Sequence, residues 1–156
     1  MGAFHAYDIR GIYGKDFDGD TAYRVGYHLV GLLEVDRVLV GRDARISSDE
    51  IFEQLTRGIV DAGANVYDMG LATSPMVYFA TAKHGFGASV MITASHNARE
   101  YNGMKISRAN ALPVGYADGL NQIEAKVLGG ASTPTLKCKG TIYLSLIHIS
   151  EPTRPY

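Results

Sequence analysis

Apolar positions along the chain switch between helical and strand spacing in alternation. From Thr21 to Leu33, Ala22, Val25, Leu29, Leu32 and Leu33 recur with helical period and predict an amphipathic helix. Arg37-Val38-Leu39-Val40 reads as a short buried strand and Gly41-Arg42-Asp43 as the loop after it. Ser47 and Glu50 stand at capping-box spacing, and acids fill the first turn of a helix running through Ile51, Phe52, Leu55, Ile59 and Val60 to a stop at Gly63. Asn65 to Met69 predicts a strand, Gly70 to Ser74 a loop, and Pro75 the first turn of a helix reaching about His84. Ala88 to Ile92 is a run suited to a strand covered on both faces. Met104-Lys105-Ile106 suggests a further strand, and Tyr116 to Leu128 a helix with Leu120, Ile123 and Val127 inward. The opening through Asp20 is polar and glycine-containing, and nothing regular is assigned to it.

Strands alternating with helices argue for an α/β domain with a mainly parallel sheet and right-handed crossovers. At 156 residues one domain is the default, and such a chain buries roughly 68–70% of its unfolded surface. Hydrophobic residues at 46% and charged residues at 20% are ordinary for a soluble globular protein. Fifteen Lys and Arg against 16 Asp and Glu leave no basic excess, so neither nucleic acid nor an anionic membrane is an expected partner. The single cysteine, Cys138, excludes an intramolecular disulfide and a cysteine zinc site and suits a reducing cytoplasm. The N-terminus has no long apolar segment, so neither a secretory signal nor a membrane span is expected there.

Candidate chemistry concentrates in Val90 to Ile106, where a buried-looking run breaks into a polar loop with Thr93, Ser95, His96, Asn97, Asn102, Gly103 and Lys105. The carboxyl end of a strand in an open α/β sheet is the usual ligand edge. Ser95 has three readings from residue types alone: nucleophile, phosphate carrier, or turn former, the last being the commonest role of serine in such a turn. A nucleophile elbow is disfavoured, because Thr93 and Asn97 stand where glycines belong. Asn102-Gly103 is a turn signal, and Lys105 beyond it could hold phosphate, act as a base, or lie exposed. Tyr7-Asp8-Ile9-Arg10-Gly11 and Gly41-Arg42-Asp43-Ala44-Arg45 each join arginines to acids beside glycine, a pattern for phosphate contacts or for plain ion pairs. His5, His28 and His84 lack metal-ligand spacing, and Tyr67, Met69, Met76, Tyr78 and Phe79 read as core.

Together, YDIRG at Tyr7 to Gly11, VGRDARISS at Val40 to Ser48, TSPMVYFA at Thr73 to Ala80 and ITASHNAREYNGMKI at Ile92 to Ile106 closely resemble the α-D-phosphohexomutase superfamily, most of all its bacterial phosphomannomutase/phosphoglucomutase branch. The resemblance runs in order and spacing from about Phe4 to Tyr143. It implies a three-layer α/β/α domain with a mainly parallel mixed sheet, the first of four domains in a parent interconverting mannose or glucose 1-phosphate and 6-phosphate through a bisphosphorylated sugar. It further implies that Ser95 is the phosphoserine, Lys105 the general base and Arg10 a catalytic cation, with Tyr7, His96 and Asn97 binding substrate and phosphate. Mg²⁺ would meet this chain only through the phosphate oxygen on Ser95, its other ligands lying in the second domain, and a glucose 1,6-bisphosphate-type activator would be needed. Expected partners are the hexose phosphate and domains II to IV, and the fragment alone is expected to be inactive. Ala98 stands where the family usually has proline, which loosens the loop but removes no chemical group. Phosphoglucosamine mutase and a non-catalytic phosphate- or protein-binding domain are the alternative readings.

Leu144 to Tyr156 resembles something else. LSLIHISEPTR is a frame of a transposon-end adapter used in preparing sequencing libraries. Residues 144–156 are therefore expected to be non-native, with the domain confined to 1–143.

Overall fold

In the computed structural model, which describes residues 2–144, these patterns become a six-stranded mixed sheet with helices on both faces. The strands are β1 (Ile9–Ile12), β2 (Arg37–Arg42), β3 (Asn65–Leu71), β4 (Ala88–Ile92), β5 (Tyr101–Arg108) and β6 (Ile142–Leu144). The helices are α1 (Gly19–Leu33), α2 (Ser48–Asp61), α3 (Ser74–Lys83) and α4 (Asn121–Leu128). Across the sheet the order is β1-β5-β4-β2-β3-β6. Strands β4, β2, β3 and β6 run parallel, and β5 lies antiparallel to both β4 and β1. No helix among the described residues is long and apolar enough to cross a membrane.

Period-two alternation divides the strand residues between two cores. Val38 and Val40 of β2 and Val90 and Ile92 of β4 face α1, α2 and α4, joining Val25, Leu29, Ile51, Leu55, Ile59, Leu120 and Ile123. Leu39 and Met91 point the other way and pack with Val77 and Ala80 of α3 and with Phe86. All five residues of β4 are buried, so the strand that leads to Ser95 is gripped from both sides. Each fully buried aliphatic side chain there contributes roughly 1.5–3 kcal/mol. Helices α1 and α2 cross in close contact because Gly26 and Gly58 present bare backbone to each other's helix. A Cβ at Gly26 would overlap the Leu55 carbonyl, and one at Gly58 the Tyr23 carbonyl.

Several expectations are corrected. Strand β1 lies inside the opening to which nothing regular was assigned, and β6 is a second unforeseen strand. Asn102-Gly103 is no turn: both residues lie within β5, and Gly103 is required because a Cβ there would overlap the Ile9 carbonyl of β1. The capping box at Ser47 and Glu50 does not form. Ser47 is in helical conformation with no side-chain cap bond, its Oγ accepting instead from Asn102 Nδ2 at 2.9 Å. The Tyr116 to Leu128 helix begins as a wide π-helical turn (Tyr116–Leu120) broken at Gly119 (φ 143°), and only α4 is regular. Phe79 and Met76 are exposed rather than core, because Val77, Ala80 and Thr81 take the inward face of α3. Leu144 pairs with Asp68 at the end of β6. Residues 145–156, and so nearly all of the expected adapter tail, lie outside the described residues.

Candidate active site

The loops after β2 and β4 meet at the carboxyl ends of the parallel strands. Thr93 leaves β4 still hydrogen-bonded to β5, its amide donating to the Gly103 carbonyl at 3.0 Å. Its Oγ1 then accepts the Ser95 amide at 2.9 Å, a turn that places Ser95 in the left-handed region at φ 56°. Left-handed backbone costs a non-glycine residue roughly 1–2 kcal/mol. Ser95 is exposed, and its Oγ lies 3.4 Å from His96 Nδ1, at the outer limit of a hydrogen bond.

Beside this turn, Asp8 is buried to 2% exposure and holds two cations. Lys105 Nζ sits 2.7 Å from Asp8 Oδ2, and Arg10 Nη2 3.3 Å from Oδ1. Arg10 Nη1 continues the chain to Asn97 Oδ1 at 3.0 Å. The geometry thus links Lys105, Asp8, Arg10 and Asn97 into one network reaching the loop that carries Ser95 and His96. It does not bring everything together. Among the described contacts no cation touches the Ser95 hydroxyl. Tyr7 is 80% exposed, bonds to none of these groups, and lines an open groove with Pro113, Tyr116 and Asp118.

The arginines after β2 turn out to be internal ties. Arg42 Nε binds Asp49 at 2.8 Å and its Nη1 binds Asp68 at 2.9 Å, while its guanidinium stacks over Phe52. Arg45 reaches under the Ser95 loop and donates to the carbonyls of Ala98 (2.7 Å), Tyr101 (2.9 Å), Ser95 (3.0 Å) and Asn97 (2.8 Å). Asp43 Oδ2 accepts from Arg45 Nε at 3.2 Å, and Asp43 Oδ1 accepts from Ser48 Oγ at 2.7 Å. Ser48 Oγ in turn accepts from Asn102 Nδ2 at 3.0 Å. The ion-pair reading of Gly41 to Arg45 is therefore the one the structure supports.

Beside the loop, Tyr13 lines a groove with Ile46, Arg99 and Glu100. Burial and the nearby Glu50 carboxylate push its hydroxyl up to about 12, so it stays a neutral donor at physiological pH. No cluster of three or more His, Cys, Asp or Glu side chains with metal-binding geometry exists among the described residues. These residues by themselves thus offer Mg²⁺ no carboxylate cluster.

Sequence reasoning named Asp8, Asp43, Arg45 and Asn102 within its candidate stretches but gave none of them a role in the site. Asp8 and Arg10 stand two apart, the spacing that puts side chains on one face of extended chain. That signal was hidden as long as β1 went unrecognised.

The family model for phosphoglucomutase/phosphomannomutase, alpha/beta/alpha domain I, matches residues 1–145. The chain belongs to this family. It is 42% identical over 121 residues to a phosphomannomutase of Klebsiella pneumoniae, covering 78% of this chain and 77% of that protein. Against a phosphomannomutase of Escherichia coli it is again 42% identical over 121 residues, but that covers only 26% of the relative. A phosphoglucomutase of Neisseria gonorrhoeae is 43% identical over 106 residues, 66% of this chain and 23% of that one. Among solved structures, a phosphoglucomutase/phosphomannomutase family protein from Burkholderia thailandensis superposes with TM-score 0.80 at 27% identity, over 95% of this chain and 34% of that one. The phosphohexomutase domain described here thus spans about a quarter of the E. coli and N. gonorrhoeae relatives and about a third of the Burkholderia chain.

Proposed function

We propose that this phosphohexomutase domain carries the phosphoryl-donating serine of an enzyme interconverting hexose 1-phosphate and 6-phosphate, with mannose or glucose as the hexose. The observation that carries the reading is Ser95 itself: an exposed hydroxyl on a strained turn at the carboxyl edge of the parallel strands, beside the Arg10–Asn97 and Lys105–Asp8 network. In the forward half-reaction the Oγ–P bond of phosphorylated Ser95 breaks as a hexose hydroxyl oxygen bonds to phosphorus. Lys105, as the neutral amine left after giving a proton to Asp8 across their 2.7 Å contact, takes the hydroxyl proton and passes it to the departing Ser95 oxygen, which is left as the free alcohol. The bisphosphorylated sugar then presents its other phosphate, Ser95 Oγ attacks that phosphorus as its proton passes to Lys105, the bond from phosphorus to the sugar oxygen breaks, and Lys105 returns the proton to that oxygen. Phosphoryl transfer depends mostly on positioning and charge stabilisation. Arg10 supplies positive charge beside the phosphoryl group, His96 and Asn97 shape the phosphate site, and Tyr7 lines the substrate side.

Mg²⁺, if bound, would neutralise charge on the transferring phosphoryl group, and the phosphate oxygen on Ser95 would be its ligand from this domain. A glucose 1,6-bisphosphate-type molecule would prime Ser95. The hexose phosphate and three further domains are the proposed partners, and this chain alone is proposed to be inactive in a cytoplasmic setting. The test is to incubate a full-length enzyme carrying this domain with glucose 1,6-bisphosphate and locate the acquired phosphate by peptide mass spectrometry. Phosphate on Ser95 supports the reading. Phosphate on another residue, with Ser95→Ala fully active, sinks it.

A further inference from the structure

The loop from Thr93 to Glu100 has little of its own to hold it. Inside it the Ser95 amide bonds to Thr93 Oγ1 at 2.9 Å and the Asn97 amide to the Ala94 carbonyl at 3.1 Å, and the Tyr101 amide closes onto Ala98 at 3.1 Å. Yet its backbone keeps Ser95 at φ 56°, a conformation that persists in a non-glycine residue only when the surroundings enforce it. Beyond the Thr93 hydroxyl, Arg45 is what surrounds it. Its side chain is 14% exposed, and all five N–H groups of the guanidinium are engaged: Nε by Asp43, both on Nη1 by Ala98 and Tyr101, both on Nη2 by Ser95 and Asn97. Asp43 is itself fixed, because its amide donates to the Ile92 carbonyl at the end of β4 and its carboxylate accepts from Ser48 and the Arg45 amide.

We infer that Arg45 is a positioning residue which sets the backbone of the loop carrying Ser95, one planar fork tying four carbonyls to the end of β2. Its charge serves the loop from beneath, and its engaged donors leave it no N–H for a substrate phosphate. Lysine cannot replace it, since an ammonium has three donors without the fixed fork and would leave carbonyls of the loop unpaired. The consequence for chemistry rests on the reading of Ser95 given above. The consequence for the loop does not.

Two readouts separate the two. In this chain, Arg45→Lys should raise amide hydrogen exchange across residues 95–101 and speed tryptic cleavage after the exposed Arg99, while exchange in β4 and α2 stays as in the wild type. In a full-length enzyme carrying this domain, the same change should lower kcat roughly 10²-fold, the size expected of a displaced reacting group, with KM nearly unchanged. Asp43→Asn, which leaves the guanidinium in place but loosens its anchor, should move both readouts in the same direction by less, and it keeps the test decisive if Arg45→Lys fails to fold. Unchanged exchange and cleavage in a folded Arg45→Lys, or unchanged readouts in Asp43→Asn, overturn the inference. Raised exchange with an unaltered kcat overturns the catalytic consequence. If Ser95→Ala is fully active while Arg45→Lys still loosens the loop, the reading of Ser95 fails and the positioning of the loop by Arg45 stands.

Discussion

Asp8 is the residue on which both cations beside the loop depend. A nearly fully buried carboxylate must be paired, and here Lys105 takes one oxygen and Arg10 the other. Removing Lys105 therefore does two things. In a full-length enzyme, Lys105→Ala should cut kcat by roughly 10²–10⁴ if its amine is the proton-transfer group. In this chain it should also cost about 1–3 kcal/mol in urea unfolding, because Asp8 loses its 2.7 Å donor and keeps only the longer contact to Arg10. Wild-type turnover would reduce Lys105 to a structural partner of Asp8, and unchanged unfolding would show that water or Arg10 satisfies the carboxylate. Chemistry-bearing residue types in the loop were legible from sequence, since Ser95, His96, Asn97 and Lys105 stand in one stretch. What pairs with them was not, because Asp8 and Arg45 come from 97 and 50 or so positions away in the chain and only the sheet order β1-β5-β4-β2 brings them in.

At the scale of elements, the runs that were legible are those in which burial follows a single period. Strand β4 lies where its apolar run predicted, and α1 and α2 follow their spacing to within two residues at their starts. Signals failed where a tertiary partner outbid a local preference. Ser47 gives its hydroxyl to Asn102 and not to its own helix, and Asn102-Gly103 is drawn into β5 because β1 needs a bare backbone beside it. Strand β1 alternates in burial but has four residues and one buried aliphatic side chain, Ile9, too short a run to read, and the three residues of β6 are all exposed. Helix α1 has the local cap that α2 lacks: Asp18 Oδ1 accepts from Thr21 N at 2.9 Å, and that bond holds the Asp18 carboxyl below its ordinary range. Asp18→Ala should cost about 1 kcal/mol in denaturant unfolding at neutral pH. A folded-state value lowered by the cap means the contribution is present above the ordinary carboxylate value and is lost as pH falls from there through the lowered one, so the variant and wild type should converge in acid. No difference at neutral pH would remove the cap from the account. Where α1 meets α2, Gly58→Ala should destabilise by roughly 1–3 kcal/mol, the cost of overpacking a close contact, and a neutral result in a thermal melt would mean the helices can part without loss.

Helix α1 also carries the clearest pH-sensitive group outside the site. His28 is 7% exposed, its Nε2 has no hydrogen-bond partner among the described residues, and Tyr27 packs edge-on against its ring at 5.3 Å. Burial pushes its pKa below the ordinary value of 6.5, and the facing Lys126 of α4 and Arg24 of α1 push it further. The unfolded chain thus binds the proton more readily. Stability from the neutral ring is complete above 6.5 and falls as pH drops through that value toward the lowered one. Melting temperatures taken across this range should decline for the wild type and stay flatter for His28→Gln; parallel curves would contradict the assignment.

At the scale of the whole molecule, the fold presents one edge with chemistry and two faces filled by helices, and the chain covers a quarter to a third of several relatives. The proposed function assigns phosphate-directed charge to the loop network at that edge and the rest of the site to three further domains. The chain by itself should therefore show no conversion of mannose or glucose 1-phosphate to the 6-phosphate, and measurable turnover in a coupled assay would mean one domain suffices. The most direct test of the account asks only where phosphate goes. A full-length enzyme carrying this domain, primed with glucose 1,6-bisphosphate and digested for peptide mass spectrometry, should yield phosphate on the peptide containing Ser95, and Ser95→Ala should lose both that label and turnover. Label on a different residue, together with an active Ser95→Ala, would contradict it.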